Sequence, residues 1–79
     1  MIIKVLGTGC ANCKQLERLA KMAVEELNLD AEVQKEEDIV KIMAYGILRT
    51  PGLVIDEKVV LSGRLPSKDE VKEIIQKHI

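Results

Sequence analysis

Two cysteines, Cys10 and Cys13, are the residues of this sequence with the clearest chemistry. They stand in the segment TGCANCK at positions 8–14, after an apolar stretch over 1–6 and before a strongly helical stretch. A dithiol at a strand-to-helix junction can close into a disulfide and reopen, and the helix start favours a thiolate. No other cysteine occurs among the 79 residues. The sequence therefore lacks the cysteines for a four-thiolate metal site or a disulfide framework.

The two cysteines are predicted to differ in reactivity. At 3.6 residues per turn, Cys13 begins an apolar stripe, which continues through Leu16, Leu19, Ala20, Ala23, Val24 and Leu27. Cys10 falls at the helix tip, where unpaired backbone N–H groups stabilise negative charge. Lys14, four residues further on, adds a positive charge nearby. We therefore expect Cys10 to have the lower thiol pKa and to be the attacking thiol in disulfide exchange. Cys13 is then expected to resolve the mixed disulfide that forms.

Composition indicates one small globular domain over residues 1–79. The chain is 47% hydrophobic and 32% charged, with a net charge of −1, which is typical of a folded, soluble protein. Tyr45 is the only aromatic residue, so a nucleic-acid stacking surface is not expected. Residues 1–6 are too short for a signal segment, and no run reaches membrane-spanning length. We expect a cytoplasmic monomer that binds neither nucleic acid nor membrane.

Apolar periodicity predicts the element order β-α-β-α-β-β-α. The predicted strands are 2–6, 31–35, 53–55 and 59–61, and the predicted helices are 10–28, 37–45 and 68–77. Thr8-Gly9 is the expected cap of the first helix, and Ser67 with Glu70 forms a capping box for the last one. The predicted inward residues of the second and third helices are Ile39, Ile42, Met43, Val71, Ile74 and Ile75. One mixed four-stranded sheet with helices on both faces satisfies this order.

This order, with Cys-X-X-Cys at the start of the first helix, resembles the thioredoxin fold in its short, glutaredoxin-sized form. The segment YGILRTPGLVI at 45–55 resembles the stretch that leads thioredoxins into their active-site cis-proline. The segment SGRLPSKDE at 62–70 resembles their glycine turn and the start of their last helix. The resemblance covers nearly the whole chain. The size and the Thr-Gly-Cys-X-X-Cys start are most similar to small archaeal and bacterial "redox-active disulfide" proteins.

The resemblance implies an α/β three-layer sandwich and a thiol-disulfide oxidoreductase acting on protein disulfides. It matches Cys10 and Cys13 to the redox pair, Pro51 to the cis-proline, Thr50 to the residue whose backbone docks substrate, and Gly63 to the neighbouring loop glycine. It implies no organic cofactor and no metal. It also implies a disulfide reductase, linked to NADPH or ferredoxin, as the partner that restores the dithiol.

Several residues depart from the family pattern. Ala11-Asn12 replaces the usual proline between the cysteines, and Lys4 falls where thioredoxins place a buried acid. Thr50-Pro51 lacks the valine of glutathione sites, and Gly63-Arg64 lacks their acidic partner, so glutathione binding is not expected. Tyr45 and Lys14 remain candidates for supporting roles at the dithiol.

A metal-carrier function is the main alternative. The segment GTGCANC at 7–13 also resembles the Gly-X-Thr-Cys-X-X-Cys loop of heavy-metal-associated copper chaperones, and two thiolates suit Cu(I). That family runs β-α-β-β-α-β and ends on a strand, whereas this chain is predicted to end on a helix. The single histidine, His78, leaves too few ligands for zinc. A non-enzymatic redox-sensing module is a third hypothesis, and redox catalysis is favoured over both.

Overall fold

Four strands and three helices alternate in the computed structural model, which describes residues 1–79. The strands are β1 (Ile2–Leu6), β2 (Glu32–Glu36), β3 (Gly52–Ile55) and β4 (Lys58–Ser62). The helices are α1 (Ala11–Glu26), α2 (Ile39–Ala44) and α3 (Lys68–Gln76). The order is β1-α1-β2-α2-β3-β4-α3, as predicted. No helix is both long and apolar enough to cross a membrane.

The strands form one mixed sheet in the order β2-β1-β3-β4. α1 connects β1 to β2, which run parallel, while β3 runs antiparallel to both β1 and β4. Leu6 pairs with Gly52, and Gly52 pairs with Ser62. The chain therefore leaves β1, enters β3 and leaves β4 at one edge of the sheet, and α1 begins next to that edge.

Alternating strand residues divide the core between the two faces of the sheet. One face packs against α1 and α3 through Ile3, Val5, Leu53, Ile55, Leu61, Leu16, Ala20, Ala23, Val71 and Ile75. The opposite face packs Leu6 and Val54 against Ile42 of α2 and Ile47. The three-layer α/β sandwich and its mixed four-stranded sheet are thus confirmed.

The β3–β4 hairpin has a two-residue turn at Asp56 and Glu57. Both have positive φ, 47° and 70°, which suits the twist of a tight hairpin. Lys58, predicted as part of the turn, is the first residue of β4. Asp56 also binds β1, because its N–H donates to the Ile2 carbonyl and its Oδ1 accepts from the Ile2 N–H, both at 2.9 Å.

The helix starts differ from the sequence predictions in two places. The N-cap of α1 is Cys10, not Thr8-Gly9. The cap of α2 is Asp38, whose Oδ1 accepts from the Val40 N–H at 2.9 Å, so that helix is shorter than predicted.

The prediction that three α2 residues face inward is wrong for two of them. Ile42 is buried, but Ile39 and Met43 are 54% and 65% exposed. The reason is geometric, because a six-residue helix presents little more than one turn to the sheet. Ile47, from the following loop, fills the remaining space beside Ile42.

Polar contacts fix α3 against its surroundings. Ser67 Oγ accepts from the Glu70 N–H at 3.2 Å, but the Glu70 carboxylate binds the Arg64 guanidinium instead of completing the capping box. Val71 and Ile75 are buried as predicted, whereas Ile74 is only partly buried. Near the end of α1, Glu26 binds Lys68 and Lys72 of α3 at 2.8 and 3.3 Å.

Candidate active site

A disulfide joins Cys10 and Cys13 at the start of α1, with their Cα atoms 5.0 Å apart. Cys10 is exposed as the N-cap residue, and Cys13, in the first turn, is only 5% exposed. The difference in burial matches the expectation from the helical stripe. The exposed sulfur is accessible to a large partner, and the buried one is held behind it.

One backbone donor points at the exposed sulfur of Cys10. The Cys13 N–H points at Cys10 Sγ, with an N···S distance of 3.1 Å. Ala11 and Asn12 open the helix, so their N–H groups also lack intrahelical partners. The first turn of α1 contains no acidic residue to oppose this field. In the reduced protein, these donors favour negative charge on the Cys10 sulfur.

Gly7 makes the close approach of the disulfide to the sheet possible. It is buried at the end of β1, and its N–H donates to the Glu36 carbonyl at 3.0 Å. A β-carbon built on Gly7 would overlap Cys13 Sγ and Cβ. The sequence analysis missed this residue, although its position immediately after β1 and six residues before Cys13 could have suggested it.

The Thr50–Pro51 peptide bond is cis, as expected from the resemblance. Pro51 is buried, and its carbonyl accepts from the Gly63 N–H at 2.9 Å. Gly63 has a φ of +81°, a conformation that other residues adopt at a cost. Thr50 is exposed, and neither its N–H nor its carbonyl has a hydrogen-bond partner within the chain.

The sheet register brings the predicted docking residues to the same edge as the cysteines. Because Leu6 pairs with Gly52, the next residues outward are Gly7 on one strand and Pro51 on the other. Gly7 contacts Cys13, and Pro51 binds Gly63. The redox pair and the three predicted docking residues therefore lie around one end of the sheet.

Tyr45 lies in a polar network away from both cysteines. Its hydroxyl accepts from Lys4 Nζ and donates to Glu57 Oε2, each at 3.1 Å, and Lys4 Nζ binds Glu57 Oε1 at 2.9 Å. The Glu57 and Tyr45 contacts raise the pKa of Lys4, and the Lys4 and Tyr45 contacts lower the pKa of Glu57. The network connects β1, the end of α2 and the β3–β4 turn. A contribution of Tyr45 to the dithiol stays a prediction.

A cleft of about 60 Å³, room enough for water, opens beside Cys13. Its charged lining consists of Lys14, Glu17, Lys35 and Glu37, and its remaining walls are Val5, Gly7 and Gly9. Lys14 therefore lies beside the redox pair, although no ion pair fixes its ammonium group there. The sequence analysis assigned no role to Glu17 or Glu37. The i+4 spacing of Glu17 from Cys13 was the available signal.

Comparison with known proteins identifies the family. Residues 1–76 match the family described as Thioredoxin domain. The chain belongs to the thioredoxin family. It is 44% identical over 75 residues to a thioredoxin of Methanothermobacter thermautotrophicus, a match that covers 95% of this chain and 97% of that one.

Two further archaeal relatives agree with this assignment. A thioredoxin of Methanocaldococcus jannaschii is 38% identical over 79 residues, covering 100% of this chain and 91% of the relative. A probable thioredoxin of Archaeoglobus fulgidus is 31% identical over 82 residues, covering 98% and 89%. All three matches thus extend over nearly the whole of both proteins.

Family, fold and redox pair together define the activity. The chain is a thiol-disulfide oxidoreductase with the thioredoxin fold and a Cys10–Cys13 disulfide. The topology also separates it from the copper chaperones that its cysteine loop resembles, because the last element is α3 and not a strand.

Proposed function

We propose that the protein reduces disulfides of other proteins, with Cys10 as the attacking and Cys13 as the resolving thiol. The Cys10 thiolate attacks one sulfur of a target disulfide, forms a mixed disulfide and releases the other target sulfur as a thiolate. The Cys13 sulfur then attacks Cys10 Sγ, which breaks the mixed disulfide and releases the second target thiolate. Two electrons pass to the target, and the Cys10–Cys13 disulfide is left.

The hydrogen bond from the Cys13 N–H to Cys10 Sγ is the observation that carries this assignment. Of the two sulfurs, only the one at the helix cap is both exposed and bonded by a backbone N–H that stabilises a thiolate. A folded partner cannot reach the buried Cys13 sulfur before it reaches Cys10. Cys13 is nevertheless close enough to Cys10 to form a disulfide with it. Burial and backbone geometry thus both support the same order of events.

We propose that an extended target segment binds alongside Thr50. Its unpaired N–H and carbonyl can form strand-like hydrogen bonds with an incoming peptide. A largely apolar cleft of about 170 Å³ adjoins this residue, and its apolar lining is Ile39, Ile42, Met43, Ile47 and Leu48. Leu48 is 98% exposed, so its side chain is available to contact target side chains beside the disulfide.

Regeneration requires an external two-electron donor. We propose a disulfide reductase linked to NADPH or ferredoxin, which would reduce Cys10–Cys13 by the reverse exchange. The relatives that carry the name thioredoxin support this class of partner. We also propose that the protein works in the cytoplasm, where dithiol pairs are kept reduced and serve catalysis more often than structure.

Trapping of the mixed disulfide tests the proposed order. Reduced Cys13→Ser protein, incubated with insulin as a disulfide substrate, should accumulate a covalent adduct that dithiothreitol releases. Cys10→Ser protein is the matched control and should give little adduct. Adducts formed mainly by Cys10→Ser protein would reverse the roles of the two cysteines.

A further inference from the structure

We propose that Glu17 accepts the proton of the Cys13 thiol during the resolving step. The proposal rests on the proposed function, since it concerns the second of its two exchange reactions. A thiol attacks a disulfide as the thiolate. Cys13 must therefore lose a proton at the moment when Cys10 is covalently bound to the target.

Burial restricts where that proton can go. Cys13 is 5% exposed, and its sulfur packs tightly against Gly7 on the sheet side. The cleft between α1 and the end of β2 is the opening that Cys13 lines. A base in this cleft can reach the thiol while a target covers the outer face at Cys10.

Helix geometry directs Glu17 toward the sulfur. Glu17 lies four residues after Cys13, so the two side chains share a face of α1, and long helical side chains lean toward the N-terminus. Glu17 is half-buried and lines the cleft together with Cys13. One solvent water can bridge the carboxylate and the sulfur across a space of this size.

The other charged groups in the cleft are less suited to accept a proton. Lys14 and Lys35 are cationic and have no free lone pair to accept a proton, and their charge favours the developing Cys13 thiolate. Glu37 lies 3.5 Å from Lys35 Nζ in an ion pair. Glu17 makes no ion pair and no hydrogen bond with another side chain, so its carboxylate is free.

The step balances without a further reactant. The proton leaves Cys13 Sγ and passes through water to the Glu17 carboxylate, while Cys13 Sγ bonds to Cys10 Sγ. The bond between Cys10 Sγ and the target sulfur breaks, and the target leaves as a thiolate. That thiolate is then protonated from solvent, and Glu17 returns its proton to solvent.

Stopped-flow reaction with the chromophoric disulfide dithiobis(nitrobenzoate) separates the two exchanges. Reduced protein should release one nitrothiolate in a phase whose rate depends on reagent concentration, when Cys10 attacks. It should release a second in a phase independent of concentration, when Cys13 resolves. Glu17→Gln should slow the second phase by about 10²-fold, the lower range for a positioned base, and leave the first unchanged.

Rescue and control variants make the result specific to proton transfer. Formate, a carboxylate small enough to enter the cleft, should accelerate the second phase of Glu17→Gln but not of the wild type. Glu25→Gln, an exposed change on the same helix, should behave as the wild type. Absence of slowing, absence of formate rescue, or equal slowing of both phases would overturn the proposal.

A different result would overturn the proposed function itself. If the first phase were retained in Cys10→Ser and lost in Cys13→Ser, Cys13 and not Cys10 would be the attacking thiol.

Discussion

Gly7 and Cys13 are packed so closely that residue 7 has no room for a side chain: a β-carbon there would overlap the Cys13 sulfur. The φ of Gly7 is not in the left-handed region, so the need for glycine is steric and not conformational. This contact brings the start of α1 against the edge of the sheet. The position of the redox pair thus depends on a residue without functional groups.

Gly7→Ala should therefore displace the disulfide and destabilise the protein. Overpacking of a closed site typically costs about 1–3 kcal/mol. We expect the free energy of unfolding of the oxidised protein, measured in urea, to fall by an amount in that range. Thr8→Ala, an exposed neighbour, is the control and should change stability by less than about 0.5 kcal/mol. Equal free energies of unfolding for Gly7→Ala and the wild type would contradict this expectation, because they would show that α1 can move away from residue 7 without loss of stability.

Leu48→Ser should weaken the reaction with protein disulfides but not with small ones. If target side chains cover Leu48, loss of this contact should raise the KM for insulin by about 3- to 10-fold. A tenfold change corresponds to about 1.4 kcal/mol, which is what partial burial of a leucine side chain contributes. The concentration-dependent phase with dithiobis(nitrobenzoate) should be unchanged. Ile79→Ser, another exposed apolar position, is the control. An unchanged KM for Leu48→Ser would remove the apolar cleft from the docking surface.

Glu26 should stabilise the protein at neutral pH and not in acid. Its ion pairs with Lys68 and then Lys72 lower the pKa of the carboxyl from its ordinary value of 4.5. A lowered folded-state pKa contributes stability above the unfolded value, and that stability is lost as pH falls through the folded-state pKa. Glu26→Gln should thus lower the urea midpoint slightly at neutral pH, with a difference that vanishes in acid once the pH has fallen below the folded-state pKa of the Glu26 carboxyl.

The adjacent Glu25 provides the control for this charge effect, because it makes no ion pair. Glu25→Gln should leave the urea midpoint nearly unchanged at both pH values. High salt should also reduce the effect of Glu26→Gln, since exposed charges are screened. A difference that persists in acid would assign the effect to packing between α1 and α3.

Tyr45→Phe should lower stability without changing dithiol exchange. The hydroxyl connects Lys4 to Glu57, and its removal leaves a direct ion pair that is partly exposed. We expect a lower thermal midpoint and unchanged rates for both phases with dithiobis(nitrobenzoate). A slower exchange phase at full stability would instead give Tyr45 a role at the redox pair.

Sequence periodicity was sufficient to predict the order of strands and helices, because the long helices have clear apolar stripes. In α1, Leu16, Ala20 and Ala23 are buried as the stripe predicts. The short α2 has too few residues for periodicity to define its inward face, and Ile39 and Met43 were misassigned for that reason. The cap of α1 was misplaced because cysteine is not among the usual N-cap residues.

The candidate site was predictable only where residue type indicates chemistry. Cys10 and Cys13 could be found from their motif, and the cis Thr50-Pro51 bond from the family resemblance. Gly7 could not be assigned a role, because its importance lies in a contact between segments that only the fold brings together. Glu17 was missed because a glutamate on a helix is usually solvated, and its cleft is formed partly by β2.

The order of alkylation of the two cysteines tests the central assignment most directly. The fully reduced protein is treated with substoichiometric iodoacetamide near neutral pH, and the labelled peptide is mapped by mass spectrometry. Cys10 is exposed, and its sulfur accepts a hydrogen bond from the Cys13 N–H, which favours the reactive thiolate. Cys10 should therefore carry nearly all of the label. Preferential labelling of Cys13 would contradict the assignment of Cys10 as the attacking thiol.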